Sequence, residues 1–205
     1  MSGYALVFFM PTILVEFGWE AREAQVHSIP VYAVTAVAMV LVAYLSDRSR
    51  HRYGFIMFGC VLATVGLGML LGQASLSRDA KYGALFLISI GGYVATPMCL
   101  VWLSNNISGH WKRAFGAGIQ VTIGNIVGVV APNVFIGSEA PYYRTGYGTT
   151  LGFTWLAGIA ATAMYVGLRR ENRMRDRGKR DYMLSLPKHE VNNLGDDHPS
   201  FRFTY

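Results

Sequence analysis

Five stretches of this chain contain no Asp, Glu, Lys or Arg: residues 24–46, 53–77, 82–111, 114–138 and 145–168. Each is longer than the ~20 residues a helix needs to cross ~30 Å of hydrocarbon. None shows a charged face at helical spacing, so the stretches lack the polar side that helices of a soluble domain present to water. The runs are continuous rather than alternating, which excludes the strand pattern of a membrane β-barrel. A sixth apolar run, residues 1–15, is shorter. The sequence therefore predicts an all-α membrane protein with six transmembrane helices near 2–18, 25–46, 54–74, 82–104, 114–136 and 147–168. Residues 1–168 form the membrane domain. Residues 169–205 form a basic cytoplasmic tail whose first twelve residues lie against anionic lipid and whose remainder is mostly disordered.

The net charge of +6 does not imply nucleic acid as a partner, because the basic residues sit at span ends. Arg48, Arg50, Arg52, Lys112, Arg113 and seven residues between 169 and 180 fall on one side. Arg22, Arg78, Lys81 and Arg144 fall on the other. The positive-inside rule puts the richer side, the C-terminus and Met1 in the cytoplasm, and the plasma membrane is the expected location.

Cys60 and Cys99 both lie within spans and read as apolar packing residues. No Cys/His cluster has metal-ligand spacing, and no nucleophile–base pair or phosphate loop is present. No metal, cofactor or enzymatic activity is expected. Small residues let helices approach closely in lipid, so the G-x-x-x-G pairs Gly68/Gly72, Gly124/Gly128 and Gly148/Gly152 are expected helix contacts. Pro97, preceded by Gly91 and Gly92, is expected to bend the fourth span.

Two sets of residues resemble a known family. The loop A-Y-L-S-D-R-S-R-H-R at 43–52 is similar to the signature G-x-x-x-D-R/K-x-G-R/K-R/K of the major facilitator superfamily, with Ala43 and Arg50 replacing its glycines. Four further segments resemble the C-terminal six-helix half of fungal anion:cation symporters, the allantoate permease group. They are W-L-S-N-N-I-S-G-H-W-K-R-A at 102–114 with F-G-A-G-I-Q-V-T-I-G-N-I-V-G at 115–128, S-E-A-P-Y-Y-R-T-G at 138–146, R-R-E-N at 169–172 and G-D-D-H-P-S-F-R-F-T-Y at 195–205.

The resemblance implies half of a major facilitator superfamily fold, built as two three-helix repeats. It implies alternating-access transport of a small organic anion such as a carboxylate, a vitamin or allantoate. Asp47, Arg48 and Arg52 would act as a conformational switch. The first, second, fourth and fifth helices would line the cavity, which makes Tyr32, Tyr93, Trp102, Gln120 and Asn125 the candidate substrate residues.

No Asp, Glu, Lys or Arg lies deep in the five long spans, so proton coupling is expected to reside elsewhere. The short first span reads as a helix whose upstream segment is absent. The expected partners are the lipid bilayer, the organic anion and a missing N-terminal half or a second copy. The competing readings are a truncated, non-transporting remnant and a six-helix channel or scaffold.

The predicted orientation keeps the sequon Asn106-Ile107-Ser108 in the cytoplasm. Glycosidase treatment of the expressed protein should therefore leave its gel mobility unchanged, and a glycan on Asn106 would invert the topology.

Overall fold

The structure, a computed structural model, describes residues 2–205. The position expected for Met1 lies outside them. Six helices form the bundle: α1 (Ser2–Glu16), α2 (Ala21–Ser49), α3 (Arg52–Leu71), α4 (Arg78–Asn106), α5 (His110–Val134) and α6 (Arg144–Asp176). Five are long and apolar enough to cross a membrane, and α1 is a shorter apolar helix. Its 15 residues rise only about 22 Å at 1.5 Å each. A seventh helix, α7 (Lys188–Asn193), lies in the tail.

Turn chemistry sets the limits of the helices. Ser77 caps α4 by accepting the Ala80 N–H, as N-cap serines do. Arg50 ends α2 in the left-handed conformation, and its N–H returns to the Ser46 carbonyl. Glu139 stands in for a cap at α6, accepting both the Thr145 hydroxyl and, at 2.8 Å, the Thr145 N–H. Those two bonds hold the Glu139 carboxyl below its ordinary range, so the first turn of α6 faces a carboxylate.

The centre of the bundle is the crossing of α3 and α4, which is made by glycine. A Cβ at Gly59 would meet the Gly91 carbonyl at 2.8 Å, and one at Gly66 would meet the Ala84 carbonyl at 2.7 Å. On the other side of α4, Thr35 of α2 donates to the Ser89 hydroxyl at 2.8 Å, with both residues buried. On the other side of α3, the Tyr53 ring stacks on Tyr165 of α6 at 4.4 Å. The short α1 packs one face into the bundle and leaves Val7, Phe8 and Val15 exposed on the other. Met10 and Leu14 are fully buried among Val31, Leu70, Leu85 and Phe135, and Phe9 stacks on Phe135.

The outer surface is apolar. Val40 of α2, Val129 of α5 and Ile159 of α6 are each more than 60% exposed. Soluble monomers do not present contiguous faces of this kind, whereas lipid tails solvate them.

Two expectations need correction. Among the glycines of the three G-x-x-x-G pairs, Gly68, Gly124, Gly148 and Gly152 have nothing within 4 Å of an added Cβ, and Gly72 meets only carbonyls of its own helix. The contacts are made instead by Gly59, Gly66 and Gly91. The pattern identifies small residues but does not say which face of the helix meets a neighbour.

The tail is the second. It folds back onto the basic end of the bundle through α7 and short 3-10 turns at Asp181–Ser185 and Gly195–Asp197. Arg175, expected to lie free against lipid, is 6% exposed. It and Arg180 share the Glu171 carboxylate. Composition suggested disorder because the tail is polar, but its contacts are made largely through backbone groups.

A larger residue at the glycine crossing must push two backbones apart. Gly91→Val should destabilise the purified protein by about 1–3 kcal/mol or more, read as a lowered thermal transition in detergent. Gly148→Ala, which points into open space, should leave the transition within about 0.5 kcal/mol.

Candidate functional site

A cavity of about 600 Å3 opens among α1, α2, α4 and α5. Helix α4 contributes Tyr93, Thr96, Pro97 and Leu100, and α5 contributes Gln120, Val121, Gly124 and Asn125. Met39 comes from α2 and Val7 from α1. The α4 residues recur every three to four positions, which is one face of a helix. None of the lining residues is charged. Within α4, Pro97 has no N–H to offer the Tyr93 carbonyl, so the hydrogen-bond ladder is interrupted at the cavity wall without ending the helix.

Four of the sequence candidates lie in this wall: Tyr93, Pro97, Gln120 and Asn125. Tyr32 stands behind it. Its ring meets Tyr93 edge-on at 6.4 Å, and its hydroxyl donates to the Leu6 carbonyl at 3.4 Å. Trp102 is elsewhere. It is 2% exposed, and its indole N–H donates to the Thr204 carbonyl at 2.8 Å. Two residues beyond Leu100 is about 200° around the helix, which turns Trp102 onto the opposite face, under the tail. Thr96 and Met39 escaped sequence reasoning. The three-residue step from Tyr93 was the signal for Thr96, whose hydroxyl donates to the Gly92 carbonyl.

The Gln120 side chain carries the chemistry of the wall. Its carbonyl oxygen Oε1 is buried and has no hydrogen-bond partner among the described residues. A buried carbonyl without a donor is unfavourable by about 1–3 kcal/mol, and a turn of the side chain toward the cavity would let a ligand N–H or O–H relieve it. The wall can therefore offer a polarised acceptor, an aromatic ring at Tyr93 and apolar surface. It has no charge to offer.

The loop at the basic end of α2 and α3 forms a second, separate site. Arg52 is 8% exposed. Its guanidinium donates to the Ser46 hydroxyl at 2.8 Å and pairs with Asp47. Arg48, the other partner suggested by the signature, is exposed and has no ion pair among the described residues.

These features have relatives. A profile of the Major Facilitator Superfamily matches residues 1–132. The chain belongs to the major facilitator superfamily. An uncharacterised transporter of Schizosaccharomyces pombe is 34% identical over 98% of the chain and 39% of its own length. An MFS-type transporter of Penicillium expansum is 33% identical over 98% of the chain and 40% of its own length. A high-affinity nicotinic acid transporter of Saccharomyces cerevisiae is 28% identical over the whole chain and 38% of its own length. The chain thus spans about two fifths of the length of the curated relatives it matches. No solved structure matches it. The half-fold expected of a superfamily member is present, with α1–α3 and α4–α6 as its two three-helix groups, and the relatives are named as transporters rather than enzymes.

Arg52→Ala strips the fully buried Ser46 hydroxyl of its donor, which should lower stability by about 1–3 kcal/mol. Asp47 is largely exposed, so Asp47→Asn should change stability by no more than about 1 kcal/mol. Thermal unfolding of the two variants in detergent separates the effects, and equal losses would contradict this geometry.

Proposed function

We propose that this chain supplies one half of the pathway of a secondary carrier for a small organic anion, working by alternating access. The observation that carries the reading is the uncharged, partly aromatic cavity lined by Tyr93, Gln120 and Asn125, with the buried, unpartnered Gln120 carbonyl at its wall. Such a wall suits the neutral part of a ligand that carries an N–H or O–H, such as a ring, an amide or a ureide. The similarity to a protein named as a nicotinic acid transporter supports an aromatic or amide-bearing carboxylate, and the motifs at 102–146 support placement in the allantoate permease-like symporter group.

The carboxylate charge then needs a cation from outside this cavity, since the lining has none. We assign that cation, and any proton-coupling group, to a second six-helix body or a second copy covering the open face of α1, α2, α4 and α5. The basic end, with the tail, would face the cytoplasm of the plasma membrane. Asp47 and Arg52 would form a contact made in one state of the cycle and released in the other, the Asp47 carboxylate being the largely exposed partner that can leave.

Uptake of labelled nicotinate, pantothenate, allantoate and biotin by cells expressing the transporter tests this reading. At least one should be carried. Gln120→Ala should raise its KM roughly 3–10-fold, the equivalent of one hydrogen bond of ~0.5–1.5 kcal/mol, while Gly148→Ala leaves it unchanged. Normal delivery to the membrane with no uptake of any organic anion would defeat the proposal.

A further inference from the structure

The tail docks on a site built to receive it. Asn172 of α6 accepts the Phe203 N–H at 2.9 Å and donates back to the Phe203 carbonyl at 2.8 Å. Asn106 of α4 treats Thr204 in the same way, accepting its N–H at 2.8 Å and donating to its carbonyl at 3.0 Å. Each asparagine side chain thus pairs with both backbone groups of one residue, as a neighbouring strand would. Arg175 completes the seat. Its guanidinium donates to the carbonyls of Asp196, His198 and Phe201 at 2.9, 3.2 and 3.1 Å and lies over the Phe203 ring. Lys112 of α5 holds the Asp196 carboxylate at 2.7 Å. Burial opposes that charge, yet the Lys112 ammonium and adjacent backbone N–H groups keep the carboxyl below its ordinary range.

What this seat joins matters more than its strength. Helix α3 stands between α4 and α6, which have little direct contact. The segment 201–205 crosses that gap, and Tyr205 reaches His51 at the α2–α3 turn. On α4 the tail grips Trp102 and Asn106, just beyond Leu100 of the cavity wall and about one and a half to two and a half turns past the ladder break at Pro97. The tail therefore holds the arm of α4 that lies beyond the Pro97 break.

We propose that residues 195–205 are an internal clamp fixing the basic-end arm of α4 to α6. Asn106 and Asn172 are positioning residues through which the tail sets the arm below Pro97, and with it the cavity wall above. The structural part of the proposal stands whatever the carrier transports.

Hydrogen–deuterium exchange of the purified full chain in lipid nanodiscs tests it. In the unmodified protein the amides of residues 203 and 204 should exchange at least tenfold more slowly than those of a free peptide. Two disruptions approach the clamp from opposite sides. The pair Asn106→Ala with Asn172→Ala removes the helix partners. Thr204→Pro removes a tail N–H without altering any helix. Both should release 201–205 and speed exchange at residues 98–106 at least threefold, with residues 56–67 of α3 unchanged as the check on folding. Free-peptide exchange of the unmodified tail would overturn the proposal. So would a loosened α4 in the asparagine variant but not in Thr204→Pro, because Asn106 would then act only within its own helix. Where uptake is measurable, both variants should change the turnover rate more than KM. A failure of the carrier reading removes that arm and leaves the exchange result standing.

Discussion

At Gly59 and Gly91 two helix backbones touch with no side chain between them, and the bundle is arranged about that contact. In lipid there is no hydrophobic force to drive helices together, so close packing has to do it. Absence of a Cβ at Gly59, Gly66 and Gly91 brings α3 against α4 along several turns. With α4 fixed on α3, the buried Thr35–Ser89 hydroxyl pair brings in α2, and the Tyr53–Tyr165 stack brings in α6. The inner face of α1, with Met10 and Leu14 fully buried, packs among α2, α4 and α5.

The cavity follows from what the crossing leaves over. One face of α4 is committed to α3 through Gly91, and another carries Tyr93, Thr96, Pro97 and Leu100. Those residues face α5, which buries little of itself among its neighbours. The wall is therefore loosely covered, uncharged and interrupted at Pro97. These are the physical conditions for a surface that admits a ligand and changes shape. Gln120 sharpens the picture, since a buried acceptor without a donor is a group that the protein alone leaves unsatisfied.

The spans were legible because removal of charge over more than twenty residues has few causes, and their approximate limits were legible because polar residues and turn signals punctuate them. Tyr93, Gln120 and Asn125 could be placed at the cavity because the resemblance named the helices that line it and few polar groups occur within them, whereas Pro97 was legible only as a bend. Trp102 was misplaced because helix membership does not fix azimuth: Leu100 and Trp102 are neighbours in sequence and point nearly opposite ways. The G-x-x-x-G pairs failed for the same reason. The clamp was not legible at all. Arg175 read as one more positive charge and Asn106 as part of a sequon, because their partners are backbone carbonyls and N–H groups, which every sequence carries and no sequence distinguishes.

In this arrangement one face of α4 and α5 lines a cavity open to solvent, while α6 shows its apolar side to lipid. Single cysteines, introduced into a background carrying Cys60→Ser and Cys99→Ser, read this directly, because a thiol needs water to ionise and react. In intact membranes a hydrophilic maleimide should label Thr96→Cys, Gln120→Cys and Gly124→Cys at least tenfold faster than Leu156→Cys and Ile159→Cys. Equal labelling of the two sets, or inert cavity positions beside reactive ones on α6, would contradict the account.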